Sequence, residues 1–298
     1  MKIARSVVFL CMTLLTSCSG DDPKTVDDGP LEPSGRLTPV RIVTRVSGGD
    51  GNSLNAGLFM VNYQDGKPGE LEATDNYVNN QALTYTTEGW TSDTPIYWSD
   101  METRADFFAY APYRQTIDDV RHMTFDVCAD QRGDDDYNQS DFLWGAIQGQ
   151  MPSADGFELT LSHVMSKLTI AVVADIGFDE DELQAADISV AIGGSRLSCM
   201  VDLASGLTTV MGEPQNVICH NNGDLTYTAV LVPQAVPFSN LIQIDWKGNK
   251  YTLQNSFTLE ARRQYSLTVK LKKSKNGFDI GIAGWDIVDE DFGGVIGG

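Results

Sequence analysis

Cysteine and histidine are scarce in this chain, at five and three among 298 residues. Cys11 and Cys18 lie at the very start, which leaves Cys128, Cys199 and Cys219 for the body. An odd set of three is no disulfide framework. Spacing alone does not decide whether Cys199 and Cys219 pair, and all three also read as small buried hydrophobes. His122, His163 and His220 stand far apart with no carboxylate or thiol at metal-ligand spacing. A nucleophile elbow, a phosphate-cradling glycine loop behind a strand and a zinc signature are all missing. No catalytic residue, metal ligand or cofactor is therefore expected, and His163 reads as a structural histidine. Cations are few as well: 21 Lys and Arg face 41 Asp and Glu, a net charge of −20. That balance excludes nucleic acid and anionic lipid head groups as partners. Beyond residue 17 no apolar run approaches the length of a membrane span, and no stretch sustains a 3.6-residue period.

What is present begins at the N-terminus. Lys2 and Arg5 precede residues 7–15, apolar except for Thr13 and too short to cross a bilayer. This is the layout of an export signal, residues 1–17. Leu15-Thr16-Ser17-Cys18 resembles the bacterial lipobox, in which the cysteine is lipidated and becomes the new N-terminus. Several acyl chains, palmitate among them, give stable anchoring where one does not. Cys18 is the expected lipid attachment point, and the expected location is the surface of the outer membrane. Loss of residues 1–17 removes two cations and no acid, taking the charge from −20 to −22. Residues 18–37 are rich in Asp, Gly, Pro and Ser, a composition that cannot bury enough surface to fold, so they read as a flexible tether.

Residues 38–46 change character. Val40, Ile42 and Thr44 alternate with Arg41, Val43 and Arg45, the pattern of a half-buried strand. Gly48-Gly49-Asp50-Gly51 then isolates that strand from the body. Short β-type runs between Gly, Asp and Pro turns follow throughout: 56–62, 82–87, 96–98, 105–110, 123–127, 142–147, 157–161, 164–173, 188–192, 197–203, 226–232, 241–246, 251–254, 264–271 and 278–285. Residues 179–186, acidic at their start, are the one helical stretch. Two such sets of strands predict an all-β chain of two sandwiches, 38–151 and 152–298, with the boundary near Met151.

Two features invite a binding role. The acidic loop 130–138 fails as a calcium loop: counted from Asp134, Gln139 falls where glycine is required and Gly145 where a bidentate acid is required. Its Arg132-Gly133-Asp134 tripeptide matches an adhesion motif that also arises by chance. Trp90, Trp98, Trp144, Trp246 and Trp285 could stack on sugar rings; all but Trp90 sit among strand residues, where core packing is the better reading.

Several pieces, in order, resemble the fimbrillin-like family of type V pilus subunits and accessory proteins. They are Thr44-Arg45-Val46 before a glycine-rich break, Gly57-Leu58-Phe59-Met60, Gly89-Trp90, Pro95-Ile96-Tyr97-Trp98 and Ala105-Asp106-Phe107-Phe108-Ala109-Tyr110-Ala111-Pro112. Further along come Asp141-Phe142-Leu143-Trp144-Gly145-Ala146, then Leu161-Ser162-His163-Val164-Met165-Ser166-Lys167-Leu168, and closing strands to Trp285. Val46 stands where the family has a small residue, and Gly145 interrupts an apolar run. The resemblance covers residues 38–285. It implies tandem transthyretin-like sandwiches and a surface lipoprotein cut after an arginine. Arg45 is the first candidate, with Arg41 and Arg36 as others. The cut would remove the opening strand, and a strand from another pilus subunit would fill the groove. The rival reading is a monomeric glycan-binding surface lipoprotein with Trp90 as its exposed aromatic, and a host or glycan ligand is compatible with either.

Overall fold

The computed structural model describes residues 38–46, 55–86, 89–185, 187–273, 280–282 and 287–291. Among the described residues the fold is all-β, with two short helices and three sheets. The expected signal peptide, Cys18, the tether and Arg36 lie outside the described residues.

The first half supplies β1 (Ile42–Val46), β2 (Ala56–Asn62), β3 (Val78–Thr86), β4 (Gly89–Thr91), β5 (Ala105–Ala111) and β6 (Met123–Asp126). After α1 (Asp134–Gln139) come β7 (Leu143–Gln150) and β8 (Phe157–His163). All of these strands except β6 form one seven-stranded sheet in the order β1-β8-β7-β5-β2-β3-β4. Its middle strands β2 and β5 are buried on both faces, which explains their near-continuous apolar sequences AGLFMVN and ADFFAYA. Leu58, Met60, Phe107 and Ala109 point into a core enclosed by this sheet. Phe59, Val61, Phe108 and Tyr110 point the other way, into the larger core. The polar exception, Asp106, is 2% exposed, and its carboxylate accepts the Gly149 N–H at 2.7 Å.

The remainder forms two facing sheets. β9 (Ser166–Ala174) is followed by α2 (Glu180–Gln184), whose N-cap Asp179 accepts the Asp181 N–H at 3.1 Å. Then come β10 (Ile188–Asp202), β11 (Leu207–Ile218), β12 (His220–Gly223), β13 (Thr226–Leu231), β14 (Gln234–Trp246), β15 (Asn249–Leu259) and β16 (Arg263–Lys273). The last described strands are β17 (Ile280–Ile282) and β18 (Ile287–Asp291), both antiparallel to β16. One sheet runs β11-β10-β14-β15 and the other β12-β13-β9-β16-β17. On β16, Tyr265, Leu267, Val269 and Leu271 are all buried, matching the alternation of the sequence.

Sheet membership does not change at Met151. β8 stays with the first sheet to His163, and β6, from the first half, pairs with β10 of a later sheet. The continuous strand β10 replaces two expected ones. Its register shifts between Ile192 and Ser195, where Gly194 has φ +76°, and this bulge moves the buried set from even positions (Val190, Ile192) to odd ones (Leu197, Cys199, Val201). The acidic loop forms α1, a single exposed helical turn and a half with three aspartates in its first turn.

Candidate functional site: the first strand and its groove

Residues 38–46 join two parts of the fold. Val40 N–H donates to Ile96 O at 2.8 Å, and Trp98 N–H donates to Thr38 O at 3.0 Å. The chain then crosses over: Phe157 N–H donates to Arg41 O at 3.1 Å, and β1 runs parallel to β8 with Ile42 opposite Phe157 and Val46 opposite Leu161. The alternation of the sequence is realised. Val40, Ile42 and Val46 pack against the enclosed core, while Arg41 is exposed and Val43 is 53% exposed.

The groove beneath β1 is aromatic. Trp98 packs edge-on against Phe107 with centroids 5.5 Å apart, and Phe157 lies 4.6 Å from Phe107. Leu159 and Leu161, from β8, complete the floor and are buried. Gly156 sets the approach of the strand. It has φ +85°, and a Cβ there would lie 2.8 Å from Arg41 O and 3.0 Å from the Arg41 side chain. Gly156 is marked in the sequence only by the turn signal Asp155-Gly156 ahead of a strand. No local pattern joins Trp98, Phe107 and Phe157, which come from three separate segments.

The candidate cleavage positions differ in kind. Arg45 lies inside β1, opposite Thr160, with one more paired residue behind it. Arg41 precedes β1, so a cut after it leaves β1 attached to the body. Arg36 lies further upstream still.

Other sequence candidates fare differently. Trp90 is not an exposed platform: it is 5% exposed and packs edge-on against Tyr85 with centroids 5.3 Å apart. Trp98 and Trp246 are buried too, and Trp144 donates its indole N–H to Leu203 O at 2.7 Å. Arg132 of the adhesion-type tripeptide is folded back on Asp130, donating through Nε to Oδ1 at 2.9 Å. That guanidinium holds the Asp130 carboxyl below its ordinary range. Asp100 and Asp119 are also held low, by bonds from Thr103 and His122 respectively. These are exposed loop carboxylates stabilised as anions, the opposite of a proton donor poised near neutrality. Among the described residues no group of three or more His, Cys, Asp or Glu is arranged to hold a metal. Cys128, Cys199 and Cys219 are all free thiols.

The profile of the fimbrillin-like family matches residues 44–285, most of the chain. The chain belongs to the fimbrillin-like family. A proposed fimbrium subunit of Bacteroides uniformis, Fim1C, is 24% identical over 300 positions that cover 94% of this chain and 93% of that protein. Among solved structures, a proposed cell adhesion protein from Bacteroides uniformis superposes with a TM-score of 0.67 at 18% identity, covering 88% of this fimbrillin-like chain and all of the other. One from Bacteroides ovatus gives 0.61 at 15% identity, over 84% and 97%. These likenesses establish the fold.

Proposed function

We propose that this fimbrillin-like protein is a surface-anchored pilus subunit or accessory adhesin. In this reading a protease cut after Arg45 releases β1, and a strand of another subunit takes its place. The observation that carries the reading is the docking of residues 38–46. They sit over an aromatic groove at the edge of the sheet, with Val40, Ile42 and Val46 half-buried against the core and Arg41 and Val43 facing solvent.

The energetics fit a strand that is held yet replaceable. Val40, Ile42 and Val46 are each only partly buried. Full burial of such a side chain is worth roughly 1.5–3 kcal/mol, so three partial ones give a few kcal/mol in total. A departing β1 would leave an unpaired edge on β8 and open apolar pockets, the surface that strand addition satisfies. Of the three arginines, only Arg45 lies behind the greater part of β1, so only that cut frees it. Cuts after Arg36 or Arg41 would detach the tether and leave the groove filled.

Cys18 is assigned the lipid, with the outer membrane as the anchoring surface and other pilus subunits as partners. The fimbrium supplied by the Bacteroides uniformis relative's designation and the two-sandwich, transthyretin-like description belong to the same proposal. The buried state of Trp90 removes the platform on which a glycan-binding monomer was expected to rest.

The test is arginine-specific digestion of the full chain in detergent. Loss of the segment ending at Arg45, followed by ladders that resist SDS, is the expected result. A chain cut after Arg45 that keeps the fragment bound and stays monomeric at high concentration overturns strand exchange. Replacement of Cys18 by alanine is expected to abolish incorporation of labelled palmitate; retained label would overturn the assignment of the anchor.

A further inference from the structure

We propose that the buried Asp141–His163 pair pins β8 to its sheet and keeps the groove in register while β1 is absent. The inference rests on the strand-exchange reading above and adds a positioning residue to it.

The ladder of β8 is divided. Phe157 to Leu161 pair with β1, whereas only Ser162 and His163 pair with β7, opposite Trp144 and Leu143. Gly145 allows β7 to pass close to β8, since a Cβ there would lie 2.1 Å from Thr160 O. Beyond that crossing the paired ladder ends, and a cavity of about 310 Å³ lies between the two strands. Ala146, Ile147, Glu158 and Arg262 are among its walls. Once β1 has left, residues 157–161 have no strand partner on either edge among the described residues.

Two kinds of attachment then remain. Leu159 and Leu161 keep their places in the enclosed core, but apolar packing is not directional. A one-residue slip of β8 would turn those leucines outward and destroy the acceptor surface. The directional attachment is at the end of the strand. His163 Nδ1 lies 2.7 Å from Asp141 Oδ2, with the residues 6% and 3% exposed. A carboxylate partner requires the imidazole N–H at Nδ1. The other oxygen, Asp141 Oδ1, is buried without a hydrogen-bond partner, so the contact with His163 is the carboxylate's anchor. Asp141 is itself fixed by its own N–H, which donates to Asn138 O at 3.2 Å at the end of α1, and Val164 N–H donates to Phe142 O at 2.8 Å. The pair therefore ties the last residue of β8 to the segment that launches β7.

Hydrogen exchange on the full chain in detergent tests the proposal, with β1 docked and undocked. Undocking is achieved in two independent ways, by arginine-specific cleavage and by the double substitution Ile42→Asp, Val46→Asp. In the native sequence, undocking is expected to speed exchange at residues 157–161 at least about tenfold and to leave residues 162–164 protected. In His163→Leu, undocking should open 162–164 as well, at least about tenfold, while the docked form keeps its protection. His163→Asn, which retains a donor near the Nδ1 position, should restore the native pattern. Should His163→Leu fail to fold, Asp141→Asn should give the same spreading to a smaller degree. Opening of 162–164 in the native sequence, or protection of 162–164 in the undocked variants, would overturn the pin. Mass spectrometry that finds residues 38–45 still bound after cleavage would instead sink strand exchange, and the doubly substituted chain would still decide the pin.

Discussion

Substitution of Gly156 by alanine tests whether β1 is the part of the fold that yields. Gly156 has φ +85°, a conformation that costs a residue with a Cβ about 1–2 kcal/mol. The added methyl would also lie 2.8 Å from Arg41 O, closer than a Cβ contact allows, and 3.0 Å from the Arg41 Cβ, a tight contact. Neither neighbour is the far end of a flexible side chain. The simplest relief is for β1 to withdraw, because it is an edge strand held by a few kcal/mol, whereas Phe157 on the other side is tied to Phe107. If the strain of 1–2 kcal/mol falls on β1 docking, the undocked population rises about 5- to 30-fold. At low protease concentration, cleavage tracks the open population, so the rate of cutting after Arg45 should rise by the same factor. The assay is a time course with an arginine-specific protease, followed by mass spectrometry of the released fragment. An unchanged rate with a lowered melting temperature would show that the body absorbs the strain, and the argument for β1 as the weakest element would fail.

Trp90→Ala should cost about 3–5 kcal/mol of stability, because it empties a buried site beside Tyr85; an unchanged melting temperature would contradict the burial. Cys199 and Cys219 should resist a thiol reagent at pH 8 in the native protein and react in denaturant, since burial pushes the Cys199 thiol up to about 12 and raises Cys219 as well. Rapid native labelling of either would refute that. Tyr110 and Tyr227 are both pushed up to about 12 by burial, so the folded state favours the neutral phenol. Their stabilisation is complete below the unfolded value near 10 and is lost as pH rises from there through about 12, on the order of 2 kcal/mol each. Melting temperatures measured across that window should fall, and Tyr227→Phe should flatten part of the decline; a flat profile in the native sequence would refute the assignment.

Local patterns were legible wherever one face of a strand meets the core. The alternation of Val40, Ile42 and Thr44 with Arg41, Val43 and Arg45 marked β1, and that of Tyr265 to Leu271 marked β16, because period two is written directly in the residues. β11 escaped notice for the same reason in reverse. It is an edge strand whose residues from Leu207 to Asn216 are all exposed or half-exposed, so no apolar rhythm marks it. The gap expected between 188–192 and 197–203 is a bulge, and a bulge shifts the phase of burial as a turn would without ending the strand. α1 has no buried residue, so composition alone suggested a loop.

The groove poses a harder problem than the strand that fills it. The segment 38–46 is a local object: its own residues state which side is apolar and where the arginines fall, and the glycines that follow cut it off from the body. Its floor joins Trp98, Phe107 and Phe157, and its far wall is a strand that, among the described residues, has no strand partner but β1 over Phe157 to Leu161. None of that is periodic, because the contacts span segments whose pairing depends on the whole sheet. Gly145 shows the difference. In sequence it interrupts an apolar run and counts as a departure from the family. In the fold it is the point where β7 passes Thr160 so closely that a Cβ could not be present, and beyond it the two strands separate. A substitution such as Gly145→Val would therefore force β7 and β8 apart at their crossing. The expected result is loss of protection at residues 162–163 even with β1 docked, which His163→Leu should not produce. Exchange confined to 157–161 in that variant would mean that the crossing does not hold the strands together.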